Sequence, residues 1–579
     1  MTRRRLHLVA AVALAAAVLV SGCARIPTSG PIQPGKAGAE SAAGQQPVQV
    51  FAQPPRKGWT PSQVVAGFFA AMASPASGHA VARSYLTPDI QNGWPNGKDP
   101  AVVVYTQDED FRLEIGRDNT VSVTAAQQAT ITAKGEYRPS PEGSTMHPVF
   151  RLQRVAGEWR IGSLPGNLML TETDVVTAYT PFDLFFFGKS ADVLVPDSIV
   201  LSAADQDSWP TDVVRALLAG PTTAVEHGVE TAIPKGTVLE RAPVLDENGT
   251  MTISLGGAAS TLSGSPRRRM IAQIAATMMR VDGVSRVSVQ TGTALDGPTA
   301  DADAYRPYEA SSVVANLRGY FVRDGRLMSI DTATAEVEKL GGPLGTGAVT
   351  VGRPAVSLDA RSAASVSTDH RMLSVGPLRT KGRPTLLYQG TRLSAASWDR
   401  NGDLWVVDNT SRGPRVLLFT DGKGRPAEVP VTGLSRSTRL DVSAVRVAWD
   451  GVRVAFVATG GPAGQLVVGT VARDGKKVTV GALRPVAPSL VDVGDVWWYD
   501  HRSLAVAAGE QGSQQVTYVA SVDGLSISKA SSVGNLSGVA AAYNMPLLVS
   551  DRDGEIAISQ PDEFSSRPAG RGTSPTYPG

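Results

Sequence analysis

A pattern that repeats along the C-terminal half of the sequence constrains the fold more than any other feature. In each copy, a short aspartate-containing motif precedes a strand-like apolar run. The copies recur about every 40 to 50 residues, which is the period of four-stranded propeller blades. The clearest copies lie at residues 356–361, 396–402, 448–453 and 497–502.

The repeats predict an all-β propeller over residues 310–560. About 250 residues at this period correspond to five to seven blades, and we expect about six. Asp-Gly pairs recur through the same region, and they suit tight hairpins because they tolerate positive φ. A propeller closes radially and leaves only short strand edges exposed. Residues 561–579 are rich in Pro, Ser and Gly and are predicted to form a disordered tail.

The N-terminus has the parts of a lipoprotein signal peptide, predicted over residues 1–22. Three arginines give a positive start, an apolar run of signal-peptide length follows, and Ser-Gly supplies small residues before Cys23. A thiol at this place can be acylated before cleavage, so we expect Cys23 to become an N-palmitoyl, S-diacylglycerol cysteine. The competing interpretations are an ordinary signal peptide ending near a cysteine and an uncleaved membrane anchor.

The anchor predicts a location on the extracytoplasmic face of the cell membrane. Single acyl chains hold only weakly, so stable attachment requires more than one. Residues 23–58, rich in Pro, Gly, Gln and Ala, are predicted to be a disordered linker. Because Cys23 is the only cysteine, no disulfide or Cys-based zinc site is available.

Composition narrows the range of partners and sources. The net charge of +2 gives no electrostatic case for nucleic-acid binding. The abundance of Arg, Ala, Gly and Val indicates a high-GC genome and hence an actinobacterium.

Residues 59–175 are expected to form an α+β domain. Thr60-Pro61 predicts a helix start, and five apolar residues follow on one helical face. A second short helix is expected around residues 79–86, followed by strands and a final hairpin at Gly157. Helices followed by a curved antiparallel sheet resemble the NTF2-like fold. The five apolar residues are Val64, Val65, Phe68, Phe69 and Met72.

Residues 181–295 predict a β-α-β-β-α-β domain in which two helices cover a small sheet. The helices begin at Trp209-Pro210 and at Ser265-Pro266. The segments Leu-Ala-Gly-Pro at 218–221 and Ala-Ile-Pro-Lys-Gly-Thr at 232–237 resemble the GerMN domain of exported sporulation and germination proteins. These segments contain a helix-capping glycine and a turn, so they identify a scaffold without indicating a site.

No motif in the sequence predicts a catalytic, cofactor-binding or metal-binding residue. The glycine-rich run at 341–347 lacks the Lys-Ser/Thr of a phosphate loop, and we expect a plain loop there. No Gly-x-Ser-x-Gly elbow occurs. The histidines are scattered and show no zinc-helix spacing; they are His7, His79, His147, His227, His370 and His501.

Three features leave two interpretations each. Asp108-Glu109-Asp110 could bind calcium, but it lacks an EF-hand ligand ladder and favours a solvated strand edge. Arg267 to Arg269 could bind an anionic headgroup or an acidic partner, against the default of a solvated surface. The recurring tryptophans could bind sugars or bases, but their fixed place before each hairpin favours packing between blades.

The chain as a whole resembles the LpqB family of actinobacterial lipoproteins. The domain order matches, and the segment Cys-Ala-Arg-Ile-Pro-Thr-Ser-Gly-Pro at 23–31 is similar to the start of the mature family members. The resemblance implies a partner, the extracytoplasmic sensor part of the MtrB kinase of the MtrA–MtrB two-component system. It also implies an influence on envelope growth and division. Only the lipidated Cys23 can be carried over as a functional residue.

The sequence leaves three functions open. The leading hypothesis is a non-enzymatic protein that binds an MtrB-like sensor kinase, with the tether raising the effective concentration near a membrane partner. The second is a module that binds cell-wall glycan or a small ligand in the propeller mouth or the N-terminal domain, which clustered exposed aromatic residues would favour. The third is a propeller hydrolase or lyase, which would need converging carboxylates or histidines in a cleft.

Overall fold

A computed structural model describes three domains of the chain. The described residues are 52–95, 100–108, 110–141, 143–292, 297–313, 317–434, 440–459, 465–510, 513–531, 533–560 and 565–579. Cys23, the predicted signal peptide and most of the predicted linker lie outside them. Within these ranges, no helix is both long enough and apolar enough to cross a membrane.

The first domain opens with helix α1 (Pro61–Met72). The Gln63 amide donates to the Thr60 hydroxyl at 3.4 Å, and the Thr60 amide donates to the Gln63 side chain at 2.9 Å. This reciprocal capping box satisfies two amides that would otherwise lack partners. The five apolar residues predicted for one face are all buried, so the helix start and its buried face are confirmed.

An antiparallel sheet forms the rest of the first domain, with β7, β6, β3 and β1 adjacent in that order and β8 parallel to β1. Ser77, Gly78 and His79 have positive φ, so regular α-helix in the second helical segment begins only after His79. The elements are α2 (Ala76–Arg83), β1 (Val102–Tyr105), β2 (Arg112–Ile115), β3 (Thr120–Ile131), β4 (Tyr137–Pro139), β5 (Thr145–Met146), β6 (Val149–Val155), β7 (Glu158–Ser163), β8 (Leu168–Thr171) and α3 (Glu172–Ala178).

The second domain contains two sheets, of three and four strands, instead of the single small sheet expected. The strand order is β10-β9-β11 in the first sheet and β12-β13-β14-β15 in the second. Gly220 ends the first helix of this domain with φ of 80°, a conformation that favours glycine. The elements are β9 (Tyr179–Gly188), β10 (Leu194–Ser202), α4 (Trp209–Ala219), β11 (Val229–Glu230), β12 (Thr237–Leu245), β13 (Thr250–Gly257), α5 (Gly264–Met278), β14 (Arg286–Thr291) and β15 (Thr299–Ala300).

The remaining strands form six four-stranded sheets, and their inner strands adjoin one another in a ring. The prediction of about six propeller blades is confirmed. The first three blades contain β16 (Gly319–Arg323), β17 (Arg326–Ile330), β18 (Val337–Lys339), β19 (Arg353–Val356), β20 (Ser362–Val366), β21 (Met372–Pro377), β22 (Thr385–Gln389), β23 (Ser397–Trp398), β24 (Leu404–Thr410), β25 (Gly413–Phe419) and β26 (Ala427–Val429). One turn of helix, α6 (Pro343–Thr346), lies between the first and second blades, in the glycine-rich run where a plain loop was expected.

The other three blades each run in chain order from the inner to the outer strand. The remaining strands are β27 (Asp441–Val447), β28 (Arg453–Thr459), β29 (Gln465–Asp474), β30 (Lys477–Val486), β31 (Val491–Trp498), β32 (Ser503–Gly509), β33 (Val516–Ser521), β34 (Ile527–Lys529), β35 (Leu536–Ala540), β36 (Leu547–Asp551), β37 (Glu555–Gln560), β38 (Ser565–Arg571) and β39 (Thr573–Thr576).

Strand β39 closes the ring, which corrects the prediction of a disordered tail over 561–579. It is the inner strand of the first blade, where it pairs with β16 through Tyr320–Thr576 and Val322–Thr573. Strand β38 pairs with β37 as the outer strand of the sixth blade. Tyr577 is fully buried, and its hydroxyl donates to the Pro546 carbonyl at 2.7 Å. The propeller therefore extends beyond residue 560.

The repeated aspartates hold the turn between the inner two strands of a blade. Asp450 Oδ1 accepts the amides of Val452 at 2.7 Å and Arg453 at 3.0 Å. Asp500 accepts the amides of Arg502 and Ser503, both at 2.7 Å. Such side-chain caps replace backbone hydrogen bonds that a tight turn cannot make. The aspartates in the repeat are therefore explained by turn geometry.

Two of the recurring tryptophans join neighbouring blades, as predicted. The Trp398 indole donates to the Ala355 carbonyl at 3.2 Å, and the Trp498 indole donates to the Arg446 carbonyl at 3.0 Å. Both side chains are buried. The buried indole N–H groups therefore find acceptors across the blade boundary.

All three domains meet at the carboxylate of Glu136, in the first domain. Arg138 donates to it at 2.7 Å, Thr223 of the second domain at 2.9 Å, and Arg484 of the propeller lies 2.5 Å away. Burial acts to raise the pKa of Glu136, but these partners outweigh it and hold that pKa below its usual value. One buried charge thus links all three domains.

A second buried carboxylate, Asp183 on β9, joins the second domain to the propeller. His501 Nε2 lies 3.0 Å from Asp183 Oδ2, Arg502 Nε lies 3.8 Å from it, and Ser198 donates to Oδ1 at 2.7 Å. Burial raises the pKa of Asp183, but the hydrogen bond from His501 and the nearby charges lower it to about 2. The carboxylate is therefore ionised at neutral pH.

Truncation of Tyr577 tests the role of the closing segment. We expect Tyr577→Ala to lower the free energy of unfolding of the propeller by about 3–5 kcal/mol, as for other large buried aromatic residues. Tyr577→Phe removes only one hydrogen bond and should cost about 1 kcal/mol. Denaturant unfolding followed by circular dichroism measures both. If Tyr577→Ala were no worse than Tyr577→Phe, the segment would not hold the ring closed.

Asp183→Asn should destabilise the interface between the second domain and the propeller in a pH-dependent way. A folded-state pKa near 2 against an ordinary value of 3.8 corresponds to roughly 2–3 kcal/mol. Because this pKa is depressed, the contribution is complete above about pH 4 and disappears as the pH falls through 2. Thermal unfolding between pH 3 and 7 measures it, with exposed Asp89→Asn as the control. Equal, pH-independent effects of the two variants would contradict the linkage.

Candidate functional site

The residues singled out in the sequence do not converge on a site. The described histidines are distributed over all three domains, and no group of three or more His, Cys, Asp or Glu among the described residues could hold a metal ion. Asp108 is exposed, and its side chain accepts the Asp110 amide at 3.0 Å. This is a local turn contact. The predicted lipidation site, Cys23, lies outside the described residues.

The arginines at the start of α5 contribute to the fold. Arg269 pairs with Asp192 at 2.9 Å and with Glu230 at 3.0 Å, and its guanidinium lies 4.2 Å from the centre of the Phe187 ring. Arg267 donates to Thr291 at 3.3 Å. These contacts favour the structural interpretation of the cluster over an anion-binding one.

A small cleft of about 60 Å³ lies between the second domain and the propeller, and we call it the junction cleft. Its volume is well below the roughly 300–1,000 Å³ that is usual for small-molecule sites. Strand β9 and the end of α5 form one wall, and the turns of blades four, five and six form the other. The segment joining the two domains completes the lining. Its central residues are Phe185, Arg280, Tyr305, Glu309, Trp449, Tyr499, His501 and Tyr543.

Four rings form a continuous wall along the junction cleft. The Trp449 and Tyr543 ring centroids are 6.4 Å apart with an interplanar angle of 38°. Tyr543 continues to His501 at 6.1 Å, and His501 continues to Phe185 at 6.3 Å. Tilted rings at these separations attract one another. The wall is therefore a stable surface that is shared by both domains.

Hydrogen bonds fix the orientation of the rings at the centre of this wall. His501 is held by Asp183 on one side, and its Nδ1 lies 3.4 Å from the Tyr543 hydroxyl on the other. Burial is the main cause of the raised pKa of Tyr543, which keeps this hydroxyl protonated at neutral pH. The histidine and tyrosine rings are thus positioned before any ligand arrives.

Two blades place an aromatic side chain differently from their neighbours. The residue before the turn aspartate is buried within the propeller in blades two and three, where it is Leu358 or Trp398. In blades four and five the corresponding residues are Trp449 and Tyr499, which are partly exposed and line the junction cleft. Packing between blades therefore does not fully account for these two aromatic residues.

The guanidinium of Arg280 lies at the edge of the junction cleft. It lies 5.3 Å from the centre of the Phe185 ring. Within the described part of the chain, no hydrogen bond or ion pair engages it, and the side chain is exposed. A cation with unused donors at the mouth of an aromatic cleft can bind oxygen atoms of a ligand.

A larger crevice, of about 600 Å³, separates the first domain from the second. Much of its wall consists of buried aliphatic side chains such as Leu168, Leu170 and Ile199. His79 lies at this crevice, where burial lowers its pKa. The junction cleft has the more distinctive chemistry of the two, since it combines several rings with charged groups.

Solved structures resemble parts of the chain only loosely. TolB from Acinetobacter baumannii matches 53% of the chain and 85% of its own length, at 14% identity and a TM-score of 0.36. We therefore draw no argument about function from this likeness.

Family models and curated relatives give a much closer match. The model described as "Lipoprotein LpqB, N-terminal domain" matches residues 54–176, "Sporulation and spore germination" matches 183–292, and "Lipoprotein LpqB beta-propeller domain" matches 325–578. Lipoprotein LpqB of Streptomyces coelicolor is 32% identical over 100% of the chain and 98% of its own length. That of Thermobifida fusca is 30% identical over 97% of each. The chain belongs to the LpqB lipoprotein family.

Proposed function

We propose that this lipoprotein is a non-enzymatic accessory protein that binds the extracytoplasmic sensor part of an MtrB-like histidine kinase. It would thereby modulate two-component signalling in envelope homeostasis and division. Membership of the LpqB family and the predicted lipid on Cys23 support a location beside such a membrane partner. The observation that carries the proposal is an exposed apolar strand on the second domain.

Strand β12 has an unusual combination of exposure and apolar side chains. Val238, Val244 and Leu245 are 52%, 64% and 41% exposed. The strand lies at the edge of its sheet, where β13 is its one neighbour among the described strands. Exposed edge strands with apolar side chains are sites where another protein can add a strand or pack. We call this surface, made of Val238, Val244 and Leu245, the β12 edge.

The arrangement of the domains supports an adaptor role. The charged contacts at Glu136 and Asp183 fasten the second domain to both neighbours, so the β12 edge is presented by a body that is already ordered. An ordered surface loses less conformational entropy on binding than a flexible one. A lipid anchor would also confine this surface near the membrane, which raises its effective concentration for a membrane partner.

Loss of the lipid anchor should impair signalling without unfolding the protein. We expect Cys23→Ala to leave the protein folded but to release it from the membrane fraction. Phosphorylation of the response regulator in a deletion strain should then fail to return to its wild-type level. Fusing the variant to an unrelated transmembrane helix should restore signalling, because only the tether has been replaced. Full rescue by the untethered variant at native abundance would show that anchoring is dispensable.

A charge on the β12 edge should weaken kinase binding. We expect Val244→Asp to raise the Kd for the purified sensor domain by at least about tenfold, because a buried unpaired charge costs on the order of 1–3 kcal/mol or more. Leu386→Asp is the matched control, since Leu386 is an apolar strand residue that is 55% exposed on the propeller. Calorimetric titration measures both variants.

Two results would overturn parts of this proposal. If the wild-type protein did not bind the sensor domain, the kinase would not be its partner. If Val244→Asp and Leu386→Asp had equal effects, the partner would bind elsewhere. Thermal unfolding of both variants distinguishes a local effect on binding from a loss of the fold.

A further inference from the structure

We infer that the crevice between the first and second domains binds an acyl chain with one anionic head group, as found in a fatty acid or an anionic phospholipid. We call it the α4 crevice, because residues from the first to the last turn of α4 line it. The inference is independent of the proposed kinase contact, since none of the three residues of the β12 edge belongs to the lining.

The first argument is the size and the place of the α4 crevice. Its volume of about 600 Å³ lies within the roughly 300–1,000 Å³ that is usual for small-molecule sites, which often lie between domains. The ends of α1 and β3 line it from the first domain together with β8, and β10 and α4 line it from the second. The contacts at Glu136 hold the two domains together, so the space exists before a ligand arrives.

The second argument is the aliphatic character of the deep wall. Its innermost side chains are at most 2% exposed and none of them is aromatic or polar; they are Met72, Leu168, Leu170, Leu184 and Ile199. Flexible aliphatic groups pack closely on methylene groups, and the removal of methylene groups from water is favourable. A ligand with many hydroxyl groups would find no hydrogen-bond partners along this wall, which is unfavourable. An acyl chain suits it.

The third argument is a pair of cations at one end of the α4 crevice. Lys134 Nζ donates to the Ala219 carbonyl at a long 3.4 Å, and Arg215 lies one helical turn before Ala219. The two cations come from different domains, line the crevice and are exposed. Arg215 pairs with Asp212 at 3.5 Å on the surface, and exposed pairs of this kind are weak. Since like charges repel, an anionic head group beside both cations would be stabilised.

The acidic residues of the lining lie towards the other end of the helix. Asp205 precedes α4, and Asp212 lies in its first turn, where Ser208 donates to it at 2.5 Å. Because α4 has 11 residues, its two ends are about 16 Å apart. A ligand with an anion at each end would meet Asp205 and be repelled. The distribution of charge therefore selects a ligand with one anionic end and an uncharged chain.

The test is photocrosslinking of the full-length protein in phosphatidylcholine nanodiscs, with a palmitate analogue that carries a diazirine in its chain. We expect saturable labelling of peptides that contain residues 168–170 or 199–202, and competition by unlabelled palmitate. Ala219→Trp places a large ring in the space and should lower this labelling about tenfold. Ala70→Trp alters an exposed alanine of α1 outside the lining and is the matched control, which should leave the labelling unchanged.

A charge reversal addresses the head group. Lys134→Glu should lower labelling by the palmitate probe several-fold, because it replaces attraction by repulsion. Labelling by the corresponding hexadecanol probe, which has no charge, should stay the same. Lys57→Glu, at an exposed lysine outside the lining, should change neither. A phosphatidylglycerol probe with the same diazirine distinguishes the two sources of the ligand, since the stronger of the two anionic probes identifies a free fatty acid or a membrane lipid.

Three results would overturn the inference. The first is a lack of saturable labelling of these peptides by both anionic probes. The second is an equal effect of Ala219→Trp and Ala70→Trp, with unchanged melting temperatures showing that both variants are folded. The third is an equal effect of Lys134→Glu on the charged and the uncharged probe, which would remove the role of the cations.

Discussion

The pairing of β39 with β16 is the constraint on which the rest of the structure depends. A propeller blade is stable only when its neighbours cover both of its faces, so a missing inner strand would expose two blades at once. The closing strand lies between the inner strands of blades six and two. It also completes the rigid ring whose turns support the second domain. Because synthesis proceeds from the N-terminus, the first two domains can fold before this ring can close.

The charged contacts between domains help to fix how the three domains are oriented. Buried carboxylates cost free energy to desolvate, and they are tolerated at Glu136 and Asp183 because each has several donors. Removing a single partner would leave a charge unpaired in a buried place. Rotated arrangements that keep these carboxylates buried but away from their donors are therefore disfavoured. The relative placement of the domains is specific as a result.

The sequence predicted those elements that are stabilised by contacts between residues close together in the chain. The helix start at Thr60-Pro61 and the apolar face of α1 follow from the sequence alone, and so do the turn aspartates of blades two to five. The first and sixth blades lack this signal. In the first blade, the inner strand β39 comes from the far end of the sequence. In the sixth blade, Tyr543 and Asn544 occupy the turn in place of an aspartate motif. Residues 565–579 show no apolar period, so the pattern gave no sign of a strand. They still form strands, since strands pair through backbone groups that every residue possesses.

The junction cleft could not have been found by any such rule. Its residues come from strand β9, the end of α5, the connecting segment and the turns of three blades. No single stretch of sequence supplies more than four of them in a row. The one available sign was the change from Leu358 and Trp398 to Trp449 and Tyr499 before the turn aspartates. That change is recognisable only when the burial of each copy is known.

The two-sided construction of the junction cleft has a thermodynamic consequence. A molecule bound there contacts both the second domain and the propeller, so it stabilises their association and the closed arrangement at the same time. At a concentration one hundred times its Kd, any such ligand would add about 2.7 kcal/mol to the free energy of separating them. By reciprocity, whatever pulls on the second domain from outside weakens the hold on that ligand. Ligand occupancy and a mechanical load on the second domain therefore act in opposite directions on the same equilibrium, the association of the second domain with the propeller.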